Sequence, residues 1–140
     1  MRIVLDTSVL VAGLRSRNGA SNALLGLVAD KRITPLATVT LFLEYEDVLK
    51  RPEQRLAHGL SLDEVDRILA SLAGLIEPVE TYFRWRPQLR DADDDMVLEA
   101  AVNGSAEAIV THNVADLGDV APRFAMPVLR PVEVLRRMRS

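Results

Sequence analysis

The chain has 140 residues, 49% of them hydrophobic and 4% aromatic, with a formal net charge of −3. That length fits one domain spanning residues 1–140, with a core of Leu, Val, Ala and Ile. The absence of cysteine excludes disulfides, thiol nucleophiles and Cys-ligated zinc, and the net charge argues against a strongly cationic nucleic-acid coat while leaving room for local basic patches.

Ile3-Val4-Leu5 reads as a buried strand that Asp6 ends, followed by Thr7-Ser8, residues suited to capping, and an apolar run to Leu14. Because the first strand starts almost at once, we expect no signal peptide. No apolar run approaches the roughly 20 residues of a membrane span, so a soluble cytoplasmic protein is the expectation. Gly19-Ala20-Ser21-Asn22 opens a helix through Ala29, and Thr34 to Thr38 is a second strand. Thr40 then caps a helix carrying Leu41, Glu44, Tyr45, Val48 and Leu49 that stops near Pro52. Ser61-Leu62-Asp63-Glu64 is a capping box for a helix with an apolar stripe at Val65, Ile68, Leu69 and Leu72.

Leu75 to Val79 is a further strand. Asp91 to Asp95 place carboxylates in the first turn of a helix through Val97, Leu98, Ala100 and Ala101, where the macrodipole tolerates them. Ala108 to Thr111 is a short buried strand running out at Asn113, and Val128-Leu129 a last strand before a helix from Pro131 to Met138. Strands alternating with helices favour an α/β fold with a mostly parallel sheet over a bundle or a β-sandwich.

In such a sheet Asp6, the Asp91 to Asp95 run and Thr111-His112-Asn113 fall where strands end or helices begin, with Asp116 close behind, and Glu44 can join them from its helix. Carboxylates gathered there repel one another and call for a cation, and hard oxygen donors suit Mg²⁺ or Mn²⁺. One or two such ions can lower the pKa of a water and neutralise a phosphodiester in transit. Each residue also has a plainer role. Asp6 can cap the helix after it, Glu44 can be ordinary helix surface, and the aspartate run can be an acidic helix start. A carboxylate ending so apolar a strand favours chemistry for Asp6. His58 and His112 read as surface histidines, since neither has a second histidine at zinc-ligand spacing, and Trp85 reads as a packing residue. Arg15, Arg17, Arg84, Arg86, Arg130, Arg136, Arg137 and Arg139 are singly ordinary surface charge and, as a set, a candidate phosphate-binding rim.

At four stretches the sequence resembles a PIN domain, the small nuclease fold that includes the VapC-like toxins of prokaryotic toxin-antitoxin pairs. They are Ile3 to Leu10, Glu44 to Pro52, Arg90 to Ala101 and Ala108 to Leu117, in order and at suitable separations across nearly the whole chain. The resemblance implies a three-layer α/β/α sandwich. It also implies that Asp6, Glu44 and Asp94 are the catalytic, metal-binding carboxylates, with Asp91 a fourth candidate and Asp95 an alternative to Asp94. Where the family commonly has another acidic residue after the strand ending at Thr111, this chain has Asn113, with the next carboxylate at Asp116. That departure bears on a second metal more than on the first. Thr7, Ser8 and Thr111 resemble the hydroxyl residues that position water or phosphate in such sites.

The activity so implied is an Mg²⁺- or Mn²⁺-dependent endoribonuclease, the toxin of a toxin-antitoxin pair, with RNA as substrate, a cognate antitoxin as partner and a homodimer as the default assembly. The apolar face of the Leu62 to Leu75 helix is either a surface for such assembly or intramolecular core. A phosphoaspartate protein is the weaker alternative. Its phosphatase form needs a second aspartate two positions after Asp6, where Ser8 stands, and its receiver form needs a late lysine, whereas the lysines are Lys31 and Lys50. A catalytically silent PIN-like module that binds RNA or protein is the other alternative.

Overall fold

The computed structural model describes residues 1–81, 92–118 and 121–139, without the side chains of residues 92 and 93. Arg84, Trp85, Arg86 and Asp91 lie outside the described residues. Strands β1 (Arg2–Leu5), β2 (Thr34–Ala37), β3 (Glu77–Pro78), β4 (Ala108–Val110) and β5 (Val128–Leu129) pair in parallel in the order β3-β2-β1-β4-β5. The expectation of a mostly parallel sheet is met by one that is parallel throughout the described residues. Ile3, Val4, Leu5, Leu36, Ile109 and Val110 are almost wholly buried, as strands covered on both faces must be.

The connections supply the covering layers. Helices α1 (Thr7–Arg15) and α2 (Ala20–Ala29) cross from β1 to β2, and α3 (Val39–Leu49), α4 (Pro52–His58) and α5 (Leu62–Leu75) cross from β2 to β3. Helix α6 (Ala92–Asn103) carries the chain back from β3 to β4, and α7 (Val114–Leu117) with a 3-10 turn at Ala121–Phe124 leads to β5. Right-handed crossovers in opposite directions put the two sets of helices on opposite faces, giving an α/β/α sandwich. Helix α8 (Pro131–Arg139) returns to pack on α2.

Several elements differ from the sequence expectations for local reasons. Helix α3 is capped by Thr38, not Thr40: Thr38 is extended at φ −80°, ψ 164°, and its Oγ1 accepts the Leu41 N–H at 3.1 Å. The strand expected over Leu75 to Val79 shrinks to Glu77–Pro78, because Leu75 finishes α5 and Ile76 is its C-cap. Helix α4 was not expected, although Pro52 in its first turn and Gly59 after it, at φ +74°, are a helix start and stop. The Ser61 capping box forms as expected, with Ser61 and Glu64 each accepting the other's backbone N–H at 3.1 Å. Val65, Leu69 and Leu72 of α5 are buried in the core, while Ile68 of the expected stripe is half-buried and Leu62 exposed.

Helix α6 is buried on nearly every side and packs on β1, β2, β4 and α3. It therefore carries Asp94, Asp95 and Glu99 into the interior, at 7%, 3% and 6% exposure. Among the described residues, no helix is long and apolar enough to cross a membrane.

Candidate functional site

The order in which strands are added reverses between the parallel neighbours β1 and β4: from β1 the sheet grows toward β2 and β3 on one side, and β4 and β5 fill the other. Strand ends diverge at such a point and leave a crevice. Register then decides which residues face it. Leu5 pairs with Val110, so Asp6 and Thr111 are the next residue on each of two adjacent strands, and the Asp6 N–H donates to the Val110 carbonyl at 2.9 Å.

Asp6 holds the N-cap position of α1, yet its side chain makes no capping bond. Its Oδ2 instead accepts from the Ser8 hydroxyl at 2.6 Å and from the Thr111 hydroxyl at 2.7 Å. Each hydroxyl is itself oriented by a backbone donor: His112 N–H gives to Ser8 Oγ at 3.3 Å and Asn113 N–H to Thr111 Oγ1 at 3.0 Å. Both hydroxyl bonds fall on Oδ2, which leaves Oδ1 as the oxygen available to a group in the crevice. Beneath this network the Tyr45 hydroxyl donates to the Leu5 carbonyl. Burial, helped by the Asp6 charge, pushes the Tyr45 phenol well above its ordinary pKa, so it stays protonated as a donor.

A cleft of about 500 Å³ opens over Asp6, and its walls include Thr7, Ser8, Asp94, His112, Asn113 and Asp116. The sequence-predicted residues thus divide. Asp6, Asp94, Asn113, Asp116, Thr7 and Ser8 share one cleft. Asp95, the alternative to Asp94, is more deeply buried and is not part of the wall. Thr111 is only 1% exposed and acts on Asp6 from behind. Glu44 also stands outside the wall, but its charge is close enough to help raise the pKa of Arg51, after the larger effect of the Asp47 hydrogen bond. Asp91 lies outside the described residues.

The sequence reading missed one wall and part of another. Arg15, Arg51 and Gln54 line the side of the cleft formed by the end of α1 and the α3–α4 junction. Among the described residues Arg15 is the one member of the sequence-predicted phosphate-binding rim on this wall, whereas Arg51 and Gln54 sit in a segment whose Pro and Gly boundaries were the available signal. His112 was expected on the surface. It is exposed but lines the cleft, where its Nε2 lies 2.7 Å from the Ser21 hydroxyl of α2. His58 is structural: Leu60 N–H donates to its Nδ1, so its Nε2 carries the proton toward the Leu49 carbonyl at 3.1 Å.

The donor set fits a hard divalent cation of one kind. Apart from the His112 imidazole the candidate ligands are oxygens, and that ring is engaged by Ser21. Among the described residues no three acidic or histidine side chains converge into a ready-made cage, as a structural zinc or a tight calcium site would need. An ion that keeps several waters and takes one or two protein carboxylates, as Mg²⁺ does, suits Asp6 and Asp94.

A family model described as PIN domain matches residues 2–115. No curated protein matches the chain. Among solved structures, that of FitAB bound to an IR36 DNA fragment is similar over 92% of this chain and 94% of that one, with a TM-score of 0.57 at 18% identity. A likeness at that identity extends to the fold.

Proposed function

The chain belongs to the PIN-domain family, and from that premise we propose that it is a divalent-metal-dependent endoribonuclease, the toxin of a toxin-antitoxin pair. The observation that carries the proposal is Asp6: at a helix N-cap it forgoes the cap, and two hydroxyls hold one of its oxygens while the residue lines the cleft. A carboxylate kept for stability would have capped the helix.

Asp6 and Asp94 would hold the ion, with Glu44, Asp116, Asn113 and Asp91 as further oxygen donors to it or to its waters. When bound, an Mg²⁺ or Mn²⁺ ion supplies a water of lowered pKa and neutralises charge on the phosphodiester. The protein's own part is positioning. Ser8 and Thr111 hold Asp6 in one rotamer, and the buried placement of Asp94 on α6 keeps a second carboxylate at the cleft. The fold likeness to a complex that contains DNA is compatible with an antitoxin partner, and a cytoplasmic homodimer is the proposed setting.

A silent PIN-like binding module is the second reading, favoured by the absence of a three-carboxylate group among the described residues and by the neutral Asn113. One experiment separates the two: cleavage of a panel of structured RNAs with Mg²⁺ or Mn²⁺, beside EDTA and an Asp6→Asn protein prepared identically. We expect cleavage that disappears in both controls. Inactivity of the wild type on every RNA, or equal cutting by Asp6→Asn, would leave the binding module standing instead.

A further inference from the structure

The proposed chemistry uses the acidic side of the cleft and leaves its basic side without a task. Arg15, in the last turn of α1, extends its Nη2 to the Gln54 Oε1 of α4 at 2.7 Å, across 39 residues of sequence. Ordinary helix-end duty does not explain the arrangement. Two carbonyls near the end of α1 already have donors, Gly13 from Asn22 Nδ2 at 2.9 Å and Ala12 from Ser16 N–H at 3.1 Å. Charge pairing does not explain it either. Among the described residues Arg15 forms no ion pair although acidic side chains line the same cleft, whereas its neighbour Arg51 is bound to Asp47 at 2.7 Å. Gln54 therefore holds a guanidinium in place without neutralising it.

We propose that Arg15, positioned by Gln54, binds a phosphate of the nucleic-acid strand next to the one that is cut. That the neighbouring phosphate is cut rests on the nuclease reading; the phosphate contact stands on the cleft geometry. A planar guanidinium with one N–H pinned keeps its remaining donors for an anionic oxygen, and a neutral partner preserves the full charge for it. A strand whose one phosphate meets Asp6 and Asp94 through a hydrated ion would then be gripped a short distance away by a fixed cation. Gln54 is a positioning residue and touches no substrate.

The test measures binding apart from cleavage. A short fluorescent single-stranded RNA, and a DNA strand of the same sequence, are titrated by anisotropy with Asp6→Asn protein in Mg²⁺ across a KCl series. Arg15→Ala, Gln54→Ala and Gln54→Glu are added singly to that background. We expect Arg15→Ala to weaken binding of both strands on the order of tenfold and to flatten the log–log salt slope by about 0.7, the value of one phosphate contact on a single strand. Gln54→Glu should match it, because the new carboxylate would claim the guanidinium, while Gln54→Ala should keep the slope and lose less affinity. An unchanged slope in Arg15→Ala, or Gln54→Glu binding as the background does, would overturn the proposal. Cleavage by the wild type is scored separately, so an inactive protein that shows the Arg15 slope change would retire the nuclease and keep the phosphate site.

Discussion

At the end of β1, Tyr45 and Thr111 each hold a part of the chain that carries Asp6 to the cleft. Tyr45 anchors the end of the strand, Thr111 fixes Asp6, and Asp6 faces the cleft. Removing the Thr111 hydroxyl as Thr111→Val keeps the shape and frees one side of the carboxylate. We expect the Mg²⁺ concentration for half-maximal cleavage to rise about tenfold, the usual cost of losing a group that orients a metal ligand; a metal titration of cleavage rate checks this. Tyr45→Phe removes a buried donor that burial keeps protonated. It should cost about 1 kcal/mol of unfolding free energy, read from denaturant midpoints, with little change in the metal requirement. At this scale the sequence exposed the acids, since a carboxylate after an apolar strand is visible in the chain itself. It could not show that Thr111 would bond Asp6, because that bond joins residues 105 positions apart.

Helices α1 and α5 illustrate two kinds of element. Helix α5 is locally specified: its capping box satisfies its own first turn, and Glu64 is held below the usual carboxylate range by the Ser61 hydrogen bonds. A lowered folded-state pKa contributes stability above the unfolded value that is lost as pH falls through the folded one. Thermal melts of wild type should therefore lose an increment on acidification that Glu64→Gln does not lose, and Ser61→Ala should cost about 1 kcal/mol at neutral pH. Helix α1 is specified by what it meets. A Cβ on Gly13 would stand 2.5 Å from Leu25 Cδ1 of α2, so the two helices approach at a point where only glycine fits without repacking. Gly13→Ala should shift the flexible Leu25 side chain, which borders an open groove, and the helix-propensity gain of about 1 kcal/mol offsets the crowding, so chemical denaturation should show a change within about 1 kcal/mol. The cap on α3 moved from Thr40 to Thr38 because the strand before it ends in extended backbone at Thr38; both threonines look alike in sequence.

Across the whole molecule, the reversal of strand order between β1 and β4 brings acidic side chains to one cleft, at a cost that a bound cation would offset. Asp6 and Asp94 are buried to 6% and 7% exposure at the cleft that also holds Asp116. If Mg²⁺ or Mn²⁺ binds the folded state alone, it stabilises by mass action, by about 2.7 kcal/mol at a hundred times its dissociation constant. The melting temperature should accordingly rise with Mg²⁺, return with EDTA and fail to rise in Asp6→Asn.

Local residue patterns dictate the alternation of strands and helices, the start of α5, the bounds of β5 and the placing of Asp6 and Asp94 at element ends. Each of these is written in residues close together, through periodicity, capping and charge at a helix start. That Leu5 pairs with Val110, that Asp94 rather than Asp95 lines the cleft, and that Arg15 meets Gln54 are outcomes of folding in three dimensions. Those pairings arise when buried faces choose their neighbours, and a packing choice between distant segments leaves no mark in the local pattern of either.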